Sequence, residues 1–378
     1  MIYLDNAATT KIDNEALKEL LNYTSESYGN SSQPYSIGRK QKLVLNKARR
    51  EIAKCINAEE NEIFFTSGGS ESDNWAIKCF GLNDDIKHIV TSKIEHHAIL
   101  NACKDALSLK SDVTYLNVDN KGLVDTNELK KYFERPREFV ASCETTLVSI
   151  MMVNNEIGTV EPIKELAKIA HKNGALFHTD AVQAVGHIKI DVKELDVDML
   201  SASAHKFNGP KGIGFLYIKK GTIIQPLISG GQQESGMRAG TENVGLISSM
   251  AKALLNNINE LDNNQKKLMY LEQTLIDELN SCKIDFIRNG SENHLPGLVN
   301  ISIKGANGEM LLHRLDLMEI YISTGSACDS VNNQISHVIK AIKVPKEYAE
   351  GTIRISFGKD NTIEDAISVA DALKKVLN

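Results

Sequence analysis

The stretch SASAHKFNGPKGIGFLY, residues 201–217, sets Lys206 where an extended run gives way to a turn built on Gly209, Pro210, Gly212 and Gly214. Ser201, Ser203 and His205 alternate along the approach, so an extended chain presents them on one face. Upstream, Asp180 closes the apolar run 175–179, which predicts an aspartate at the carboxyl end of a strand, where α/β sites form. A lysine standing alone reads as a solvated surface group. Paired with such a carboxylate it fits pyridoxal phosphate, whose aldehyde needs an amine for its Schiff base and whose pyridine nitrogen needs an acidic partner to stay protonated.

An anion cradle is legible elsewhere in the chain. TSGGSES, residues 66–72, follows an apolar run and opens a helix, so Gly69 and Ser70 can offer amides and a hydroxyl at the positive end of the helix dipole. Ser203 and His205 add donors from the Lys206 side.

Apolar runs at 63–66, 88–91, 113–116, 147–151, 175–179, 198–201 and 213–218 alternate with helical patterns such as 161–172, which starts at Pro162 and stops before Gly174. This alternation predicts an α/β fold with a mostly parallel sheet covered by helices. From about residue 242 to 281 the pattern becomes long helices with a polar face, and the strand-like runs 284–288 and 298–303 then open a smaller α+β unit, with which a helix at 14–23 is expected to pack. The expected division is a large cofactor-binding domain over 14–245 and a small domain from 1–13 and 246–378. The cleft between them is the expected site.

At 378 residues, 42% hydrophobic, the chain can bury a large core. The formal charge of −6 offers no basic stripe for nucleic acid. No charged leader and no run of eighteen apolar residues is present, so the reading is a cytoplasmic protein with no membrane association. Six cysteines, at 55, 79, 103, 143, 282 and 328, show no CxxC spacing and suggest neither a metal site nor a disulfide framework. Five of them read as buried thiols. Cys328 differs, because small residues at 323–327 and a polar run at 329–334 compose a surface loop around it.

Taken in order, YLDNAATT (3–10), FTSGGSESDN (65–74), SKIEHHA (92–98), VNNEIG (153–158), HTDAVQAVG (178–186), the Lys206 segment, RAGTEN (238–243), GSAC (325–328) and TIRISFG (352–358) resemble the cysteine desulfurases, a branch of the class V aminotransferases within fold type I pyridoxal phosphate enzymes. The resemblance implies a seven-stranded, mostly parallel sheet in the large domain. It makes Lys206 the covalent anchor, Asp180 the pyridinium partner, Asn155 and Gln183 hydrogen-bonding neighbours of the ring, and His96 a stacking group that shuttles protons; His97 stays a surface residue. Arg354, with Asn155, would bind the substrate carboxylate, and Thr241 would reach the phosphate in a neighbouring subunit, which implies a homodimer.

The same resemblance implies L-cysteine as substrate, L-alanine as product, a persulfide on Cys328, and a sulfur acceptor such as an iron–sulfur scaffold. A selenocysteine lyase, another class V enzyme, or a docking platform with weak turnover alone are the alternatives. The sequence departs from the family pattern at Asp329, where Thr or Ser is common, at Asn332, Asn333 and Gln334, at Ser235 and at Ser32 and Gln33. A carboxylate at Asp329 raises the Cys328 pKa unless a cation compensates.

Overall fold

The computed structural model describes residues 1–81, 87–108, 111–135, 146–324 and 335–377. Cys143, Cys328, Asp329, Asn332, Asn333 and Gln334 lie outside the described residues. The strands, in chain order, are β1 (Ile2–Tyr3), β2 (Ile63–Thr66), β3 (His88–Ser92), β4 (Asp112–Leu116), β5 (Thr146–Ser149), β6 (Leu176–Asp180), β7 (Met199–Ser203), β8 (Gly214–Ile218), β9 (Phe286–Asn289), β10 (Leu298–Ile303), β11 (Ile320–Tyr321) and β12 (Thr352–Ser356).

Among the described residues, seven strands form one sheet in the order β2-β8-β7-β6-β5-β3-β4. The pairs from β7 to β4 are parallel, and β3, β5 and β7 are buried along their whole length, as strands covered by helices on both faces must be. Strand β8 runs antiparallel to both neighbours, because residues 204–213 are too few for a crossover and return the chain as a hairpin. Two reversals restore direction at β2, so the carboxyl ends of β2, β3, β5, β6 and β7 all open on one edge of the sheet. That edge carries the site.

A second core surrounds the antiparallel sheet β12-β10-β9, where Val299, Ile301, Ile353 and Ile355 are fully buried against Leu275, Val369 and Leu373 of the helices Leu261–Ser281 and Ile363–Leu377. Burial of each such side chain contributes about 1.5–3 kcal/mol. Leu4 joins this core, and β1 pairs with β11.

The stretch expected as one or more long helices holds two, Val244–Asn259 and Leu261–Ser281, with a break at Glu260. The first of these is largely buried, since the helices Asn14–Leu21 and Ser36–Cys55 both pack on it. The expectation of buried thiols holds only for Cys103 among the described cysteines. Cys55, Cys79 and Cys282 are half-buried, because each sits at or just beyond the C-terminal end of a helix, where the chain turns outward.

Candidate active site

A cavity of about 270 Å³ opens at the shared strand edge. It brings together Gly69, Ser70, His96, Asn155, Asp180, Gln183, Ser203, His205, Lys206 and Arg354, all singled out by sequence. Thr241 is exposed and stands outside it.

Lys206 follows β7 in a tight helical turn, Ala204–Lys206, rather than on the extended approach expected through His205. The turn closes because the Phe207 and Gly209 amides both donate to the Ala204 carbonyl oxygen. Its Nζ donates to the carbonyl oxygens of Ala7 at 2.7 Å and Ala8 at 2.8 Å. Asp180 ends β6 one strand away and is 5% exposed. Burial pushes its carboxyl up to about 6, against the opposing pull of the Val182 amide, which donates to Oδ1 at 2.9 Å, and of the Lys206 ammonium.

The cradle forms at the helix Gly69–Cys79, which starts directly after β2. A side chain at Gly69 would place its Cβ 2.6 Å from Val182 Cγ2, so only a bare backbone leaves the helix end open to the cavity. Gly214 lets the β7–β8 hairpin come as close, since a Cβ there would meet Gly68 Cα at 2.8 Å. Arg238 grips Glu71, in the first turn of this helix, through Nε at 2.9 Å and Nη2 at 3.1 Å. The segment that carries Thr241 is thereby fastened beside the cradle.

His96 immediately precedes the helix His97–Ser108, and burial together with the Lys206 charge holds its ring down to about 4. His205 is likewise held down to about 4, first by burial and then by Lys206. Both imidazoles are neutral at pH 7. Gln183 donates to the Ala7 carbonyl oxygen at 2.8 Å. Arg354, in β12, is 3% exposed and donates through Nη1 to the Asn155 carbonyl oxygen and through Nη2 to Asp5, both at 2.7 Å.

Several lining residues escaped the sequence. His97, expected at the surface, lines the cavity with its ring centroid 4.9 Å from that of His337. His337 is fixed by donating from Nε2 to the Glu95 carbonyl oxygen at 3.0 Å. Asp73 lies four residues after Gly69, so helical spacing could have placed it on the cavity face; burial and the nearby Asp180 charge raise its carboxyl.

Residues 2–369 match the aminotransferase class-V family. The chain belongs to that family. It is 47% identical to the cysteine desulfurase IscS of Dictyoglomus turgidum, over 100% of this chain and 94% of the relative, and 45% identical to that of Methanosarcina thermophila, over 100% and 92%. A solved NifS-like protein shares the fold with a TM-score of 0.91 at 36% identity, covering 100% of this chain and 99% of that one. For a NifS-like protein from Rickettsia africae the TM-score is 0.87 at 31% identity, covering 100% and 99%. The chain is therefore a class V aminotransferase of the cysteine desulfurase branch, with the α/β architecture of fold type I. Enzymes of this branch depend on pyridoxal phosphate, and the cavity fits that group. A buried carboxylate with a raised pKa calls for a cationic partner, Gly69 keeps an anion cradle open, and Lys206 brings an amine to the same cavity.

Proposed function

We propose that the protein takes sulfur from L-cysteine, releases L-alanine, and holds the sulfur as a persulfide on Cys328 for an acceptor in iron–sulfur cluster assembly or thiolation. The convergence of Lys206, Asp180, His96 and Arg354 on one cavity carries this reading. Gly69, Ser70, Ser203 and His205 would hold the phosphate of the cofactor, Asp180 its pyridinium nitrogen and Lys206 its aldehyde. When bound, pyridoxal phosphate supplies an electron sink for the pair released as the substrate Cα–H bond breaks.

Arg354 grips the substrate carboxylate with Asn155 beside it, a task suited to a planar guanidinium. The Lys206 amine takes the α-proton onto Nζ. The neutral His96 ring packs over the reacting group and keeps water from it. The Cys328 thiolate then attacks the substrate sulfur: an S–S bond forms, the Cβ–S bond breaks, and its electron pair stays on Cβ, which takes up a proton to become the methyl of alanine, while Lys206 Nζ returns the α-proton to Cα.

The positions of the flanking residues favour this role for Cys328. Ser323 pairs with Arg354 through both backbone hydrogen bonds, and Ser336 donates to the buried Glu156 carboxylate at 2.6 Å. The chain thus leaves toward Cys328, and returns from it, beside the cavity. We place the enzyme in the cytoplasm as a homodimer in which Thr241, exposed on the segment held by Arg238, reaches the phosphate of the neighbouring site.

Alanine release and trapping of a persulfide by alkylation and mass spectrometry test the proposal. Wild-type protein should yield both, and Cys328→Ala neither. Full activity of Cys328→Ala on L-cysteine would refute the persulfide step, and activity confined to L-selenocysteine would favour the lyase alternative. Sedimentation that finds a monomer of full activity would refute the shared site.

A further inference from the structure

We propose that Asp5 is a positioning residue for the substrate: its carboxylate fixes the Arg354 guanidinium in the plane from which it receives the substrate α-carboxylate. The inference rests on Arg354 being the carboxylate site.

Arg354 is buried at 3% exposure in the middle of β12, where a cation needs a counter-charge. Asp5 supplies it, with Oδ1 2.7 Å from Nη2, while the Asn155 carbonyl oxygen accepts from Nη1 at 2.7 Å. Two acceptors on different terminal nitrogens fix the plane of the guanidinium. That plane decides from which side a carboxylate can be gripped bidentately.

Asp5 can perform this service because its own segment is fastened. Ser356 stands two residues beyond Arg354 on the same strand, so both side chains share a face. The Ser356 amide donates to the Leu4 carbonyl oxygen at 2.7 Å, the Ala7 amide donates to Ser356 Oγ at 2.9 Å, and Asn6 Nδ2 donates to the Ser356 carbonyl oxygen at 2.9 Å. Tyr3 Oη closes the curl by donating to the carbonyl oxygens of Asp5 at 3.1 Å and Thr9 at 2.8 Å. The same segment receives Lys206 on the Ala7 and Ala8 carbonyls. One short strap therefore sets both cations of the cavity, Lys206 through its backbone and Arg354 through the Asp5 side chain.

The test uses the cofactor-loaded enzyme and four variants: Asp5→Ala, Asp5→Asn, Asp5→Glu and Arg354→Ala. Binding of L-alanine is read from the visible band of the cofactor, steady-state kinetics give KM and kcat for L-cysteine, and thermal unfolding of the cofactor-free proteins reports on the fold. Asp5→Ala should raise the alanine Kd and the cysteine KM about tenfold with kcat within about twofold, the loss expected for one hydrogen bond to a charged group. Asp5→Asn, which keeps an acceptor oxygen, should recover most of the affinity, and Asp5→Glu, which keeps the charge but moves it by a methylene, should not. Arg354→Ala should weaken both constants at least as much.

Unchanged alanine affinity in Asp5→Ala beside a loss in Arg354→Ala would overturn the role of Asp5 and leave Arg354 in place. Tighter binding in Asp5→Ala would overturn it too, by showing a competing counter-ion. Unchanged affinity in Arg354→Ala would overturn the carboxylate site itself. Should Asp5→Ala not fold, the contrast between Asp5→Asn and Asp5→Glu decides.

Discussion

The Ala98 amide donates to Nδ1 of His96 at 3.1 Å, which leaves the proton of the neutral ring on Nε2. With the ring held down to about 4, His96 turns an N–H rather than a lone pair toward its surroundings at physiological pH. That orientation favours Lys206, rather than His96, as the proposed acceptor of the α-proton. His96→Ala should lower kcat about 10²-fold by loosening the position of the reacting group, and the wild-type pH profile of kcat should show no His96 limb between about pH 5.5 and 8. A limb near pH 6.5 that vanishes in His96→Gln would contradict the lowered pKa of the ring.

The Asp180 carboxyl, pushed up to about 6 by burial, gives the cofactor-free protein a pH dependence of definite sign. A folded pKa above the unfolded value of about 3.9 means that folding favours the protonated acid. The resulting stability is fully present below about pH 4 and is lost as pH rises through 6. Without cofactor, Asp180→Asn should match wild type near pH 4.5 and melt above it at pH 7.5, while its cofactor affinity falls for lack of a pyridinium partner. Thermal scans at the two pH values decide, and the reverse order would contradict the assignment.

Gly69→Ala should disturb both fold and cradle. Its Cβ would stand 2.6 Å from Val182 Cγ2, an overpacking that costs about 1–3 kcal/mol, and it would crowd the phosphate donors. Equilibrium dialysis should find pyridoxal phosphate bound about tenfold more weakly. Gly212→Ala is the control. It has φ of +81° with nothing within 4 Å, so it should lose stability without losing cofactor.

Glu234 is 7% exposed and meets Arg49 at 2.6 Å while accepting the Phe65 amide at 3.0 Å. Removing it in Glu234→Ala leaves a largely buried guanidinium without this counter-charge, at a cost of about 3–5 kcal/mol. A clear fall in Tm is the expected result, and Glu234→Gln should recover part of it by keeping the Phe65 contact.

The sequence disclosed what local chemistry determines. The ends of β2 and β10 fall where hydrophobic pattern set them, Asp180 closes a strand, and Gly69 opens a helix. Readings that depended on distant partners fared less well. The helix Val244–Asn259 looks amphipathic along the chain, yet it is covered on more than one side because two N-terminal helices pack on it. His97 reads as surface until His337, far along the chain, comes to lie beside it. The motif at residues 3–10 was visible, but its service to the site was not, because its partners are 199 and 349 positions away.

Those separations bear on how the protein is made. Ala7 leaves the ribosome long before Lys206, and Asp5 must wait for Arg354, 349 residues later. A growing chain can acquire its amine and its anion cradle while the guanidinium is still unmade. Translation therefore supplies the Arg354–Asp5 pair only near the end of synthesis.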